Sequence, residues 1–307
     1  MSTRAELVAK DKRYVWHPYT AMDQYEAEVE PLVVERALGP RLFDVDGRSY
    51  LDGNASWWVA ALGHGHPRLV RALGEQAARL AHCALAGITH APAAELAERM
   101  IARAPGMARI FYVDDGSTAI EAAVKMAVQM WAQSGRPRRT RLLALEGAFH
   151  GDTIGAASLG GVEVFRRPFA GVLFDCLRVD APFAEADYER AFSALEKVVA
   201  ASADELAAVV LEPIVQGASG MRLYPPAFLA HARAVCDRHD VLLVADEVFA
   251  GYGRTGRFWA CDHASVRPDL LCTAKGFSGG MLPMGAVLAT SRVEQAFRGD
   301  RDRAFYY

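Results

Sequence analysis

Five short apolar runs constrain this chain more than any other feature: RIFYV (109–113), RLLAL (141–145), LAAVVLEP (206–213), VLLVADEV (241–248) and DLLCTA (269–274). Their apolar residues are continuous rather than alternating, which marks strands buried on both faces. Helical patterns such as HPRLVRALGEQAARLAH (66–82), APAAELAERMIARA (91–104) and EAAVKMAVQMW (121–131) accompany them. Buried strands interspersed with helices imply an α/β fold, a mostly parallel sheet flanked by helices. In such sheets ligands bind beyond the carboxyl ends of the strands, so the residues following each run are where chemistry is to be sought. Upstream, RLFDVDGRSYL (41–51) alternates apolar and polar residues around Asp46-Gly47, which predicts a β-hairpin near the N-terminus.

Composition narrows the function. A chain of 307 residues accommodates one large α/β domain or two of unequal size. With 34 Lys+Arg against 37 Asp+Glu, the net charge of -3 carries no footprint for nucleic acid. The basic stretch SGRPRRTR (134–141) reads as a solvated connection. The five cysteines are scattered without a C-x-x-C pair, and His64, His66 and His150 match no zinc spacing, so no metal is expected. The charged start MSTRAELVAKDKRY lacks an apolar core, and Glu212 or Asp246 interrupts the longest apolar stretches. A soluble cytoplasmic protein with no membrane contact is the expectation.

Four strand ends carry candidate groups. After RIFYV, Gly116 and Ser117 open a helix, and Thr118 with Glu121 has the spacing of a capping box; such a start is either a plain cap or a phosphate seat. After RLLAL stand Phe149 and His150, where the aromatic ring is either core or a platform for a planar ligand. Asp246 and Glu247 end a strongly apolar run, where a carboxylate needs a positive partner or a shifted pKa. After DLLCTA comes Lys275, whose amine either reaches solvent or is used chemically. Taken together these are the parts that hold pyridoxal 5'-phosphate. Lys275 would form the imine with its aldehyde, Asp246 would keep its ring nitrogen protonated, and Gly116 with Ser117 would anchor its phosphate.

VLLVADEVFAGYGRTG followed by PDLLCTAKGFSGG resembles the class III (omega) aminotransferases of fold type I, pyridoxal-phosphate enzymes that work as dimers, and the resemblance covers essentially the whole chain. It implies a large cofactor-binding domain over 61–307. Residues 1–60 would contribute to a smaller α+β domain whose C-terminal part lies beyond this chain. That further part would supply a phosphate ligand to the neighbouring subunit and an arginine for the acceptor's carboxylate. Within the family, VWHPYTAM, NASWWVAALGHGHP, GITHAPAAELAERM, EAAVKMAVQMW, FHGDTIGA and EPIVQGASGMRLYPP are similar to members that aminate 8-amino-7-oxononanoate with S-adenosyl-L-methionine as donor. By that similarity Tyr19, Trp57, Phe149 and Lys275 contact substrate, and Phe149 also contacts the cofactor. Phe149 stands where those members usually carry tyrosine, which keeps a stacking ring and removes a hydroxyl. The alternatives are a relative using ornithine, 4-aminobutyrate or lysine as donor, or an inactive truncated paralogue. A nicotinamide dehydrogenase is disfavoured because no G-x-G-x-x-G follows an early strand.

Overall fold

In the computed structural model, which describes residues 2–307, the chain divides into two units. One is Met1–Ala81 with Gly279–Met281, and the other His82–Ser278 with Leu282–Tyr307.

The first unit begins with helices α1 (Arg4–Tyr14) and α2 (Met22–Glu28). Thr3 and Glu6 form a reciprocal capping box at the start of α1. An antiparallel sheet of β1 (Val34–Leu38), β2 (Arg41–Asp44) and β3 (Ser49–Leu51) follows. The hairpin predicted around Asp46-Gly47 is its β2–β3 pair, in the register Arg41 opposite Leu51 and Phe43 opposite Ser49. Asp44 holds the turn through Oδ1, which accepts the amides of Asp46 and Arg48, and Oδ2, which accepts the Tyr50 hydroxyl. Beyond it lie the short turn α3 (Ala55–Trp58) and helix α4 (Pro67–Ala77).

The turn α3 coils the wrong way for L-residues. Ala55, Ser56, Trp57 and Trp58 have φ of 50°, 49°, 60° and 68°. A left-handed conformation costs a non-glycine residue roughly 1–2 kcal/mol, so a run of four persists only where neighbours over-determine it.

In the second unit, α5 (Ala91–Arg103), β4 (Met107–Val113), α6 (Gly116–Gln133), β5 (Arg141–Leu145), α7 (Ile154–Leu159) and α8 (Glu163–Arg166) come first. They are followed by β6 (Leu177–Val179), α9 (Tyr188–Ser202), β7 (Leu206–Leu211), and the ribbon β8 (Val215–Gln216) with β9 (Arg222–Leu223). The unit closes with α10 (Pro226–Arg238), β10 (Leu242–Asp246), β11 (Leu270–Thr273), β12 (Gly285–Thr290) and α11 (Ser291–Ala296). Its main sheet has seven strands in the order β4-β12-β11-β10-β7-β5-β6. All five apolar runs are strands of it. Only β12 runs antiparallel to its neighbours, β11 and β4, so the sheet is mostly parallel as expected.

Both faces are covered, which explains the continuous apolar runs. Leu143, Leu145, Val209, Leu211, Leu243 and Ala245 pack with Leu195 of α9 and Phe228 of α10. The alternate residues Leu142, Ala144, Ala208, Val210, Leu242 and Val244 pack with Ile120, Ala123 and Ala127 of α6. Successive side chains of one strand thus serve opposite layers. No helix among the described residues is long and apolar enough to cross a membrane.

Candidate active site

Parallel pairing brings the acid and the amine to one edge of the sheet. Asp246, the last residue of β10, lies opposite Cys272 of β11, and Lys275 follows three residues later. Asp246 is only 4% exposed. Its Oδ2 lies 2.7 Å from His150 Nδ1, and its Oδ1 accepts the amide of Val248. An ionised carboxylate can only accept, so the contact places a proton on Nδ1 of His150. The other ring nitrogen of His150 is buried with no hydrogen-bond partner among the described residues.

Lys275 is half-buried, with φ of 47°, itself left-handed. Burial pushes its pKa below the usual lysine value, against the opposing pull of the Asp246 and Glu212 carboxylates. Tyr252 brackets the same segment. Its hydroxyl oxygen accepts from Thr273 Oγ1, and its ring packs where a side chain on Gly276 would stand.

The start of α6 is seated against both strand ends. A Cβ on Gly116 would lie 2.7 Å from Val248 Cγ1 and 3.6 Å from Ala274 Cβ, so only glycine lets the helix N-terminus approach so closely. The amides of the first turn have no intrahelical acceptor and point out of the helix end. Here the expected capping box differs. Asp115 is the N-cap, its Oδ1 accepts the Thr118 amide, and the Thr118 hydroxyl accepts the amide of Asp115. The helix begins at Gly116, which puts Thr118 at its third position and leaves Glu121 for another task. Glu121 reaches across to α7, accepting the Thr153 hydroxyl at 2.6 Å and the Gly155 amide at 2.9 Å.

Ser117 faces the segment after β5. Its Oγ accepts the amide of Asp152, and Gly151, at φ +128°, leaves no space there for a Cβ. Phe149 is half-buried, its ring edge-on to Phe165 with centroids 5.5 Å apart. Gly116, Ser117, Phe149, Asp246 and Lys275 thus lie at or just beyond the carboxyl ends of β4, β5, β10 and β11 of one sheet.

Three residues that the sequence reading left without a role belong to this edge. His150 is the partner of Asp246. Glu212, just past β7, accepts the amides of Phe149 at 2.9 Å and Gly217 at 3.0 Å, and burial pushes its pKa up to about 7. Glu247, fully buried, accepts the amides of Ala260 and Cys261, and burial pushes it also up to about 7. The signal for Glu212 was the one that singled out Asp246, a carboxylate ending an apolar strand.

Tyr19 and Trp57 lie in the first unit and touch each other, ring centroids 5.3 Å apart. Both are exposed and both left-handed, with φ of 53° and 60°.

The model of the family described as Aminotransferase class-III matches residues 22–305. The chain is 44% identical over 310 residues to the adenosylmethionine-8-amino-7-oxononanoate aminotransferase of Nitratidesulfovibrio vulgaris, covering 97% of this chain and 57% of that protein. It is 40% identical over 301 residues to the enzyme of that name from Geobacter sulfurreducens, covering 94% of this chain and 66% of that protein. The crystal structure of the Methanocaldococcus jannaschii adenosylmethionine-8-amino-7-oxononanoate aminotransferase superposes with a TM-score of 0.95 at 34% identity, over 99% of this chain and 70% of that one. The chain therefore spans between just over half and about two thirds of the length of these curated relatives. With the family match running across nearly all of its residues, this chain belongs to the class III aminotransferases.

Proposed function

We propose that this chain belongs to a pyridoxal-phosphate-dependent aminotransferase that converts 8-amino-7-oxononanoate to 7,8-diaminononanoate, with S-adenosyl-L-methionine as amino donor. The observation that carries the substrate pair is the 44% identity, over 97% of the chain, to a relative of that name.

The residues present fit the cofactor. Asp246 is a buried carboxylic side chain held in place by His150, suited to receive a protonated ring nitrogen. Gly116 leaves the helix start without a side chain against Val248, which suits a phosphate at the exposed amides of Gly116 and Ser117. Phe149 supplies an aromatic face. When bound, the cofactor supplies an electron sink next to the amine-bearing carbon and stores the amino group between half-reactions.

Lys275 would hold the cofactor covalently through Nζ. Once displaced by the donor's amine, Nζ moves the proton at the donor's reacting carbon as a general base, a task for which burial has lowered its pKa. Asp246 would hold the cofactor's ring nitrogen, and His150 holds the Asp246 side chain in place. Tyr19 and Trp57 contribute the aromatic surface that receives the donor and acceptor in turn. A homodimer with shared active sites in the cytoplasm completes this reading, which the family resemblance supports.

The test is spectroscopic. Purified with added pyridoxal phosphate, the chain should show a visible band that is absent in Lys275→Ala. S-adenosyl-L-methionine should bleach it, while ornithine and 4-aminobutyrate should not. Bleaching by ornithine alone would reassign the donor. No band in the wild-type chain would sink the cofactor site.

A further inference from the structure

The left-handed turn α3 needs something to hold it, and the structure shows what does. Both ends of the loop that contains it are tied to the β1–β2 connection. The amide of Asp52 donates to Pro40 O at 2.9 Å, and His64 pairs with Gly39 in both directions, at 2.8 and 2.9 Å. Across the loop the Asp52 side chain, 7% exposed, closes the clamp. Its Oδ1 accepts the Ser56 amide at 3.0 Å, and its Oδ2 accepts the Ser56 hydroxyl at 2.7 Å and lies 2.8 Å from His64 Nε2. Asn54 adds one further bond, its side-chain oxygen accepting the Trp57 amide at 3.3 Å.

In the left-handed turn these bonds satisfy the amides of Ser56 and Trp57, and through His64 they link its centre to the far end of the loop. The strained residues include Trp57, which is 57% exposed and whose ring rests against Tyr19. A fold that keeps an exposed indole on strained backbone by means of a nearly buried carboxylate is holding that indole in a set direction.

We propose that Asp52 and His64 are positioning residues for Trp57: by clamping α3 in its left-handed form they fix the indole that receives the amino donor, and so set the enzyme's affinity for that donor. Their role is through the turn and not through contact with substrate. The proposal rests on the reading of Trp57 as a donor-contacting residue given above, and deepens it by naming what orients the ring.

The experiment uses whichever of S-adenosyl-L-methionine, ornithine or 4-aminobutyrate bleaches the cofactor band, so the identity of the donor does not decide it. Trp57→Phe is expected to raise the donor KM, and Asp52→Ala and His64→Ala to raise it by about ten- to a hundredfold. The dissociation constant for pyridoxal phosphate, read from the visible band, should stay within about twofold. Asp52→Ala combined with Trp57→Phe should be no worse than the more severe single variant, as for residues acting through one another. Adding Ala55→Gly and Ser56→Gly to Asp52→Ala should restore the donor KM, because glycine takes the left-handed form unaided. Near-ultraviolet circular dichroism supplies a readout free of turnover. The contribution of Trp57, taken as wild type minus Trp57→Phe, should be lost in Asp52→Ala and return with the two glycines.

If Asp52→Ala does not fold, Asp52→Asn and His64→Gln carry the same expectations in milder form. A donor KM unchanged in Asp52→Asn and His64→Gln would overturn the proposal, as would a raised KM that the glycines leave unrestored. If Trp57→Phe leaves the donor KM unchanged, Trp57 loses its place in the proposed function and the clamp has no specificity role. If the dichroism still changes in Asp52→Ala, the failure then lies in that reading and not in the clamp's hold on the turn.

Discussion

His150 Nδ1 lies 2.7 Å from Asp246 Oδ2, and both side chains are sealed from solvent. Together with the amide of Val248 on Oδ1, this contact fixes the orientation of the carboxylate at the end of β10. On the proposed reading His150 would act on the reaction through Asp246. A hydrogen bond to a charged group contributes about 1.5–3 kcal/mol, so His150→Ala should lower kcat by about ten- to a hundredfold while the visible cofactor band persists. His150→Asn, whose side-chain nitrogen can stand near the place of Nδ1, should recover part of the loss. A pH titration of the bound cofactor's absorbance in the three proteins checks this. Identical curves would show that the histidine only fills space.

The contact between Gly116 and Val248 yields a second expectation. A Cβ at Gly116 would sit 2.7 Å from Val248 Cγ1, so Gly116→Ala must push apart the helix start and the turn after Asp246. Overpacking of this kind costs about 1–3 kcal/mol, and here it also displaces the amides proposed to hold phosphate. Gly116→Ala should bind pyridoxal phosphate at least about tenfold more weakly, and Val248→Ala in the same chain should restore most of that affinity. Equilibrium dialysis of the cofactor against the two single variants and the double variant measures the coupling. Additive losses would refute the steric argument.

How far the site could be read from the sequence follows from the range of each interaction. The strands of the second unit were legible because burial on both faces leaves a continuous apolar run. β12 and β6 escaped because GAVLAT is small and alanine-rich, and LRV is only three residues long. Asp246 and Lys275 stood out as charges at the ends of buried strands. The pairing of His150 with Asp246 spans 96 residues and leaves no local trace, so only the folded sheet reveals it. The capping box shows how two local rules compete. The spacing of Thr118 and Glu121 satisfies one, but Asp115 lies three residues before Thr118 and starts the helix earlier. The left-handed α3 was invisible for a simpler reason, since Ala-Ser-Trp-Trp contains none of the residues that favour that conformation.

Lys275 tests the amine itself. Lys275→Arg keeps a positive charge yet cannot become a neutral nucleophile, and Lys275→Ala removes the group outright. Both variants should lose covalent cofactor and transamination by at least about a thousandfold. Both should still bind pyridoxal phosphate reversibly, because Asp246, Gly116 and Ser117, proposed to hold its ring nitrogen and phosphate, remain. Borohydride reduction followed by peptide mass mapping places the covalent attachment. A label elsewhere than Lys275 in the wild-type chain would overturn the assignment.

Glu247 makes stability depend on pH in a direction opposite to that of an ordinary surface carboxylate. In the folded chain burial raises it to about 7, against an ordinary value of 4.5. The folded state therefore binds more protons than the unfolded state between those values, and stability falls as pH rises through the interval. The contribution is fully present below about pH 4.5 and is lost by about pH 7. At 1.36 kcal/mol for each pH unit between the two values, it amounts to about 3 kcal/mol at most. Glu212 adds a change of the same sign within the site. Other carboxylates impose an acid limb of their own, so the expectation is best read as a difference between proteins. Glu247→Gln keeps an acceptor for one of the amides of Ala260 and Cys261 and removes the titration. Urea unfolding at a series of pH values between 5 and 8 should show the stability of wild type minus Glu247→Gln declining as pH rises. A difference that stays flat across this interval would mean that Glu247 does not titrate there in the folded protein.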